Sequence, residues 1–127
     1  MITVDGNDGL GKTTLVNKLK KYHFDVKDRG LPTELTDLPT ESPGFLMYVD
    51  CNDCIYIILD GPVELSRERL EKAGRDLNEK YHTVEGLTHY RERFKIVSKI
   101  IPNCHVIDAT KTPDEIFNEV LELILRI

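Results

Sequence analysis

ITVDGNDGLGKTTLVNKL, residues 2–19, is the stretch that decides how this chain folds. Its first residues are a short apolar run, which reads as a buried strand. Gly6-Asn7-Asp8-Gly9-Leu10-Gly11-Lys12-Thr13 then fits the pattern G-x-x-x-x-G-K-[ST] at every fixed position, with Thr14 following. Glycines let the backbone curl until successive N–H groups point inward, which makes a cradle for phosphate oxygens. From Lys12 onward the spacing becomes helical, with Leu15 and Leu19 on one face. The N-terminus of that helix adds the positive end of its dipole to the same cradle. In such a phosphate-binding loop (P-loop), Lys12 reaches the β- and γ-phosphates of a nucleoside triphosphate and the Thr13 hydroxyl binds Mg²⁺. The rival reading is an ordinary glycine-rich turn.

Beyond this stretch, strands and helices alternate. Residues 24–28 read as a second strand, because Phe24 and Val26 alternate with Asp25 and Lys27. Residues 31–49 hold Pro32, Pro39, Pro43 and Gly44, and read as loop with at most one short helix. Residues 54–59, CIYIIL, are a continuous apolar run, as expected for a central parallel strand covered on both faces. Residues 62–72 read as a helix with Pro62 near its first turn. Leu87, Tyr90, Phe94, Val97 and Ile101 form a core-facing helical stripe that Pro102 stops. A strand over 104–107 follows. Thr112-Pro113-Asp114-Glu115 then opens the last helix with a capping-box pattern, and Ile116, Val120, Leu123, Ile124 and Ile127 make its stripe. The expected fold class is therefore α/β: a three-layer P-loop NTPase fold, with a small parallel sheet between helices and ligands at the carboxyl ends of the strands.

A length of 127 residues suggests a single domain spanning 1–127. The net charge of −5 argues against a nucleic-acid coat protein. Charge is uneven: residues 31–65 contain no Lys or Arg, whereas residues 67–99 carry nine basic side chains against six acidic ones. That basic block either faces phosphates or is a solvated helix surface. Three cysteines, an odd number, point to a reducing cytoplasm rather than a disulfide framework. Cys51 and Cys54 form a C-x-x-C, but no second pair completes a zinc site. No apolar run has the length of a membrane span.

A P-loop serves kinases, GTPases and motor ATPases alike. The base-reading N-K-x-D of a GTPase is absent, and motor ATPases need larger chains. Small size and the basic segment after Pro62 favour a kinase using ATP and Mg²⁺. Four segments resemble the thymidylate kinase and nucleoside-monophosphate kinase family. They are the P-loop stretch with Asp8 inside it and the doubled Thr13-Thr14, the Asp28-Arg29 pair, IYIILDGPVELSRERLEKAGR, and VIDATKTPDEIFNEV.

The resemblance implies roles. Asp8 faces the sugar of the acceptor nucleotide. Asp28 holds Mg²⁺ or orients the acceptor, and Arg29 touches the acceptor phosphate. Arg67, Arg69 and Arg75 are candidate lid arginines in a lid-like segment over residues 67–83, with Arg75 the leading one. Ala109, Thr110 and Lys111 match the loop beside the adenine. Lys12, Asp28, Arg29 and Arg75 are thus the candidate catalytic residues, and Thr13, Asp28 and Asp60 the candidate metal ligands. Each has a rival. Asp28-Arg29 also suits a strand-end turn, Asp60 a helix cap, and Arg67 and Arg69 surface ion pairs with Glu64, Glu68 and Glu71. His82 and His89 read as surface residues.

The chain also departs from the family. Typical members are longer and clamp the acceptor base with extra helices. Here the Asp-Arg pair follows the first helix almost at once, and Phe45 and Tyr48 are the only aromatics between Gly30 and Asp53. The donor half looks complete and the acceptor half reduced. The leading acceptor is a (deoxy)nucleoside monophosphate. A hydroxyl on a modified base in DNA is the second reading, and an ATP-binding module without transfer the third. A homodimer stays open; a membrane partner is not expected.

Overall fold

The computed structural model describes residues 1–38 and 54–126. Phe45, Tyr48 and Cys51 therefore lie outside the described residues. Four strands, β1 (Ile2–Gly6), β2 (Val26–Asp28), β3 (Ile55–Asp60) and β4 (Cys104–Asp108), form one sheet in the order β2-β1-β3-β4. Every pairing is parallel. The helices are α1 (Lys12–Lys21), α2 (Leu31–Leu35), α3 (Val63–Lys72), α4 (Val84–Ile100) and α5 (Pro113–Leu125). The expected three-layer α/β architecture is the one the chain adopts.

Strand β3 explains the layers. Successive side chains of a strand point to opposite faces. Ile57 and Leu59 pack with Leu15, Leu19, Ile116 and Val120 of α1 and α5. Tyr56 packs with Leu35 and Val97, and Ile58 with Tyr90 and Phe94, all from α2 and α4. None of these four β3 residues is more than 2% exposed. A side chain buried so completely contributes roughly 1.5–3 kcal/mol, and helices on both faces of β3 are what let an unbroken apolar run be buried there.

Helix ends follow local chemistry. Thr112 accepts the Glu115 amide and Glu115 accepts the Thr112 amide, each at 3.2 Å, so the capping box is formed. Thr83 caps α4 by accepting the Gly86 amide at 3.0 Å. Pro102 follows the end of α4 closely, as a residue that cannot continue a helix. Of the segment 67–83, residues up to Lys72 belong to α3, and only 73–83 are non-helical.

Strand order positions the site. β1 has β2 on one side and β3 on the other, so the chain reverses direction across the sheet there. Such a switch point leaves a crevice outside the carboxyl ends of the strands. The Gly-rich loop leaves β1 into that crevice.

Candidate functional site

The loop opens with a turn that needs glycine. Gly6 has φ +131°, and a Cβ there would lie 2.4 Å from the Leu59 carbonyl oxygen. Helix α1 then starts at Gly11 with no side-chain cap, as α2 and α3 do, whereas α4 and α5 are capped. Its first-turn N–H groups are not claimed by a capping side chain, and that is the arrangement an anion uses.

Lys12 is only 6% exposed. Its Nζ donates to the carbonyl oxygens of Gly6 and Asn7, both at 2.9 Å, and to Asp8 Oδ1 at 3.3 Å. Burial pushes its pKa down; Asp8 opposes that and Arg29 reinforces it. Asp8 is the centre of charge. Oδ1 accepts from Lys12 and Arg29, and Oδ2 faces His82 Nε2 at 2.9 Å. Burial pushes the Asp8 carboxyl up, but Lys12, His82 and Arg29 together outweigh it and hold its pKa below the ordinary value.

Arg29 reaches Asp8 from an unusual backbone, with φ +64° at a non-glycine residue. The next residue explains the tight turn. A Cβ on Gly30 would meet Thr3 Cγ2 at 2.5 Å, and its amide donates to Asp5 Oδ1 at 2.7 Å. Asp5 is fully buried and also accepts from the Thr3 and Thr33 hydroxyls, at 2.8 and 2.6 Å. It therefore ties β1 to the turn after β2 and to α2.

Three recesses adjoin along the loop. The middle one, about 230 Å³, is lined by Lys12, Thr13, Asp28, Arg29, Arg69 and Arg75, among others. The second, about 440 Å³, shares Gly9, Gly11, Thr14 and Arg69 with it and reaches Lys111 and Pro113. The third, about 170 Å³, shares Asp8 and Arg29 with the middle one. Its far wall is Thr33, Asp37, Tyr81, Tyr90 and Phe94. The Tyr90 hydroxyl donates to Asp37 Oδ1 at 2.8 Å. Burial and Asp37 raise the Tyr90 pKa well above 10, so the phenol stays a donor.

Most sequence-selected residues meet at this line of recesses, but some do not. Asp60 gives both carboxylate oxygens to Arg91, with Nε–Oδ1 2.8 Å and Nη2–Oδ2 3.2 Å, and lines a different recess with Asp108 and Thr110. Thr110 bonds back to Asp108 through its amide and hydroxyl. Arg67 does not line the middle recess. Its guanidinium donates to the carbonyls of Leu77 and His82, at 3.3 and 2.8 Å, and so braces the 73–83 segment. Of the three lid candidates, Arg69 and Arg75 line the middle recess, together with Arg29.

His82 corrects the sequence reading. Expected at the surface, it is 1% exposed, because the 73–83 segment folds over the loop and presses the ring against Asp8. His89 is exposed, as expected. Tyr90 and Phe94 were legible as core residues, yet they also wall the third recess, so aromatic rings reach it from α4 and the segment before it. Asp5 gave no sequence signal beyond an acid inside an apolar strand. Among the described residues no group of three or more His, Cys, Asp or Glu is arranged to hold a metal by itself. The Cys104 thiol is pushed up to about 12 by burial and Asp5, so it is a poor nucleophile. No helix among the described residues is long and apolar enough to cross a membrane.

No family model matches the chain, and no curated protein matches it. Among solved structures, a crystal structure of the YorR protein from Bacillus subtilis, in complex with phosphorylated GDP, superposes with a TM-score of 0.73. That match covers 97% of this chain and 94% of the other at 16% sequence identity. The two chains share a fold.

Proposed function

We propose that this protein is an ATP-dependent phosphotransferase that moves the γ-phosphoryl group to a (deoxy)nucleoside monophosphate. The observation that carries the reading is the line of three recesses, with one phosphate cradle between two pockets. A binding module needs one pocket beside its cradle; a transferase between two nucleotides needs one on each side. The recess reaching Lys111 takes the donor nucleoside, and the one walled by Tyr81, Tyr90 and Phe94 takes the acceptor base. That the YorR structure holds phosphorylated GDP supports a nucleotide in this fold.

In this reading, loop amides and Lys12 hold the β- and γ-phosphates. Arg69 and Arg75 face the same space and neutralise charge as the phosphoryl group moves. Arg29, between the middle and third recesses, turns to the acceptor phosphate. That phosphate has a second pKa of about 6 and is largely dianionic at neutral pH, so no general base is required. Positioning and charge neutralisation do the work. The exposed Thr13 hydroxyl and Asp28 carboxylate line the cradle and offer hard oxygen donors. They suit Mg²⁺, which, when bound there, would supply positive charge against the phosphates. Asp60, engaged by Arg91, is left out of that set.

The test is a panel of (deoxy)nucleoside monophosphates, plain DNA and base-modified DNA with Mg²⁺ and ATP, each at low and moderate salt. Transfer to a free monophosphate with little salt dependence is the expected result. Transfer only to DNA, falling steeply with salt, would replace the acceptor. ATP binding without transfer to any of them would make the protein a binding module.

A further inference from the structure

Both ring nitrogens of His82 face acceptor-only oxygens. Nδ1 lies 2.8 Å from the Asp76 carbonyl oxygen and 3.2 Å from Glu79 Oε2. Nε2 lies 2.9 Å from Asp8 Oδ2. A carbonyl cannot donate, and Asp8, surrounded by Lys12, Arg29 and His82, is a carboxylate. Each contact is a hydrogen bond only if its ring nitrogen carries a proton. A neutral ring would leave one nitrogen lone pair facing an oxygen lone pair inside a buried site. Flipping the ring changes nothing, because every partner is an acceptor.

The two oxygens of Asp8 are divided between different cations. Oδ1 takes Lys12 and Arg29; Oδ2 takes His82. Lys12 and Arg29 border the phosphate cradle, and His82 does not. Its ring is 1% exposed and fixed from three sides, so it cannot follow a ligand. In the phosphotransferase reading, phosphates entering the cradle compete with Oδ1 for Lys12 and Arg29. Asp8 would then be a half-buried carboxylate that has lost two of its three cations and competes with the ligand for them.

We infer that His82 is a positioning residue: as a doubly protonated imidazolium it is the counter-charge that holds Asp8 in place while Lys12 and Arg29 turn to the phosphates of a bound nucleotide. This rests on the phosphotransferase reading for the identity of the ligand. The same ion pair fastens the 73–83 segment to the loop, and Arg67, donating to the His82 carbonyl, braces it from α3. The charged groups facing the ring are Asp8 from the loop and Glu79 from its own segment, with Lys12 and Arg29 beyond Asp8. Burial disfavours the charged ring, but Asp8, the Asp76 carbonyl and Glu79 outweigh it and raise the His82 pKa above 6.5. The ring therefore holds its proton below that ordinary value and loses it as pH rises through the folded one, so the effect is present below the folded midpoint and lost above it.

The test has two arms. In nucleotide-free protein, nitrogen NMR of the ring at about pH 6 should show both nitrogens protonated, and Asp8→Asn should lower the titration midpoint. A neutral tautomer at that pH, or a midpoint indifferent to Asp8→Asn, overturns the inference even if no His82 variant folds. The second arm is calorimetric binding of Mg-ATP to the wild type, His82→Gln, Asp8→Asn and the double variant. At about pH 6, His82→Gln should weaken binding about tenfold, and the loss should largely vanish in the Asp8→Asn background and at a pH above the midpoint measured in the first arm. A role in packing alone predicts the same loss in both backgrounds and at both pH values, and that result refutes the inference while leaving the phosphotransferase reading intact. A wild type that binds no nucleoside triphosphate sinks both.

Discussion

Replacing Lys12 with Met removes the ammonium and keeps an unbranched stem, which separates what the lysine does for the ligand from what it does for the fold. Its Nζ makes two hydrogen bonds at 2.9 Å to loop carbonyls and one at 3.3 Å to Asp8. Hydrogen bonds from a charged group contribute about 1.5–3 kcal/mol each. Against them stands the desolvation of a side chain 6% exposed, several kcal/mol for a buried ion. The pKa shows which side wins: burial, with Arg29, lowers it despite Asp8. The folded protein therefore holds the charged lysine less well than the unfolded chain does. Lys12→Met leaves two carbonyls without that donor, at about 1–3 kcal/mol each, and removes the buried charge, so the two changes largely cancel. Stability should stay within about 2 kcal/mol of wild type, with the midpoint of thermal unfolding shifted by less than about 10 °C. The pH dependence is part of the prediction. Between the lowered folded pKa and 10.5 the unfolded chain binds more protons, so wild-type stability gains a positive slope with pH that the variant lacks. Phosphoryl transfer should fall at least about 100-fold, the scale of losing one preorganised charge at a developing oxyanion. Thermal melts across pH and a coupled ADP assay read both. A variant that melts far lower would make Lys12 a builder of the loop, and unchanged transfer would mean the cradle does not hold the reacting phosphates.

Two further outcomes follow from the same geometry. Arg67→Ala removes donors to the Leu77 and His82 carbonyls; proteolysis should begin within residues 73–83 and stability should drop about 1.5–3 kcal/mol, whereas unchanged protection would show that the brace is dispensable. Tyr90→Phe keeps the ring and removes the hydroxyl that Asp37 accepts; KM for the monophosphate should rise about tenfold with KM for ATP unchanged, and equal changes in both would remove Tyr90 from the acceptor pocket.

Short-range chemistry was legible in the residue order. The glycines, Lys12 and Thr13 act within one turn of each other, the capping box spans Thr112 to Glu115, and the run in β3 needs only neighbours to show burial on both faces. The third recess was not legible, because its walls come from α2, the 73–83 segment and α4, which no local spacing brings together. The sequence between Gly30 and Asp53 is poor in rings, while the rings that wall this recess lie in residues 81–94.

By itself the sequence determined the class of fold and the course of the glycine loop into the first helix, since both depend on periodicity and on backbone freedom within a few residues. The tertiary structure alone decided which charges meet. Arg67, Arg69 and Arg75 are equivalent by composition, yet Arg67 braces a segment while the other two line the middle recess. Asp60, expected as a metal ligand, is paired with Arg91, 31 positions away. His82 lies 74 positions from Asp8 and becomes its partner only because α3 turns the chain back over the loop. Charge acts through distance and dielectric, and neither is set until the chain has folded.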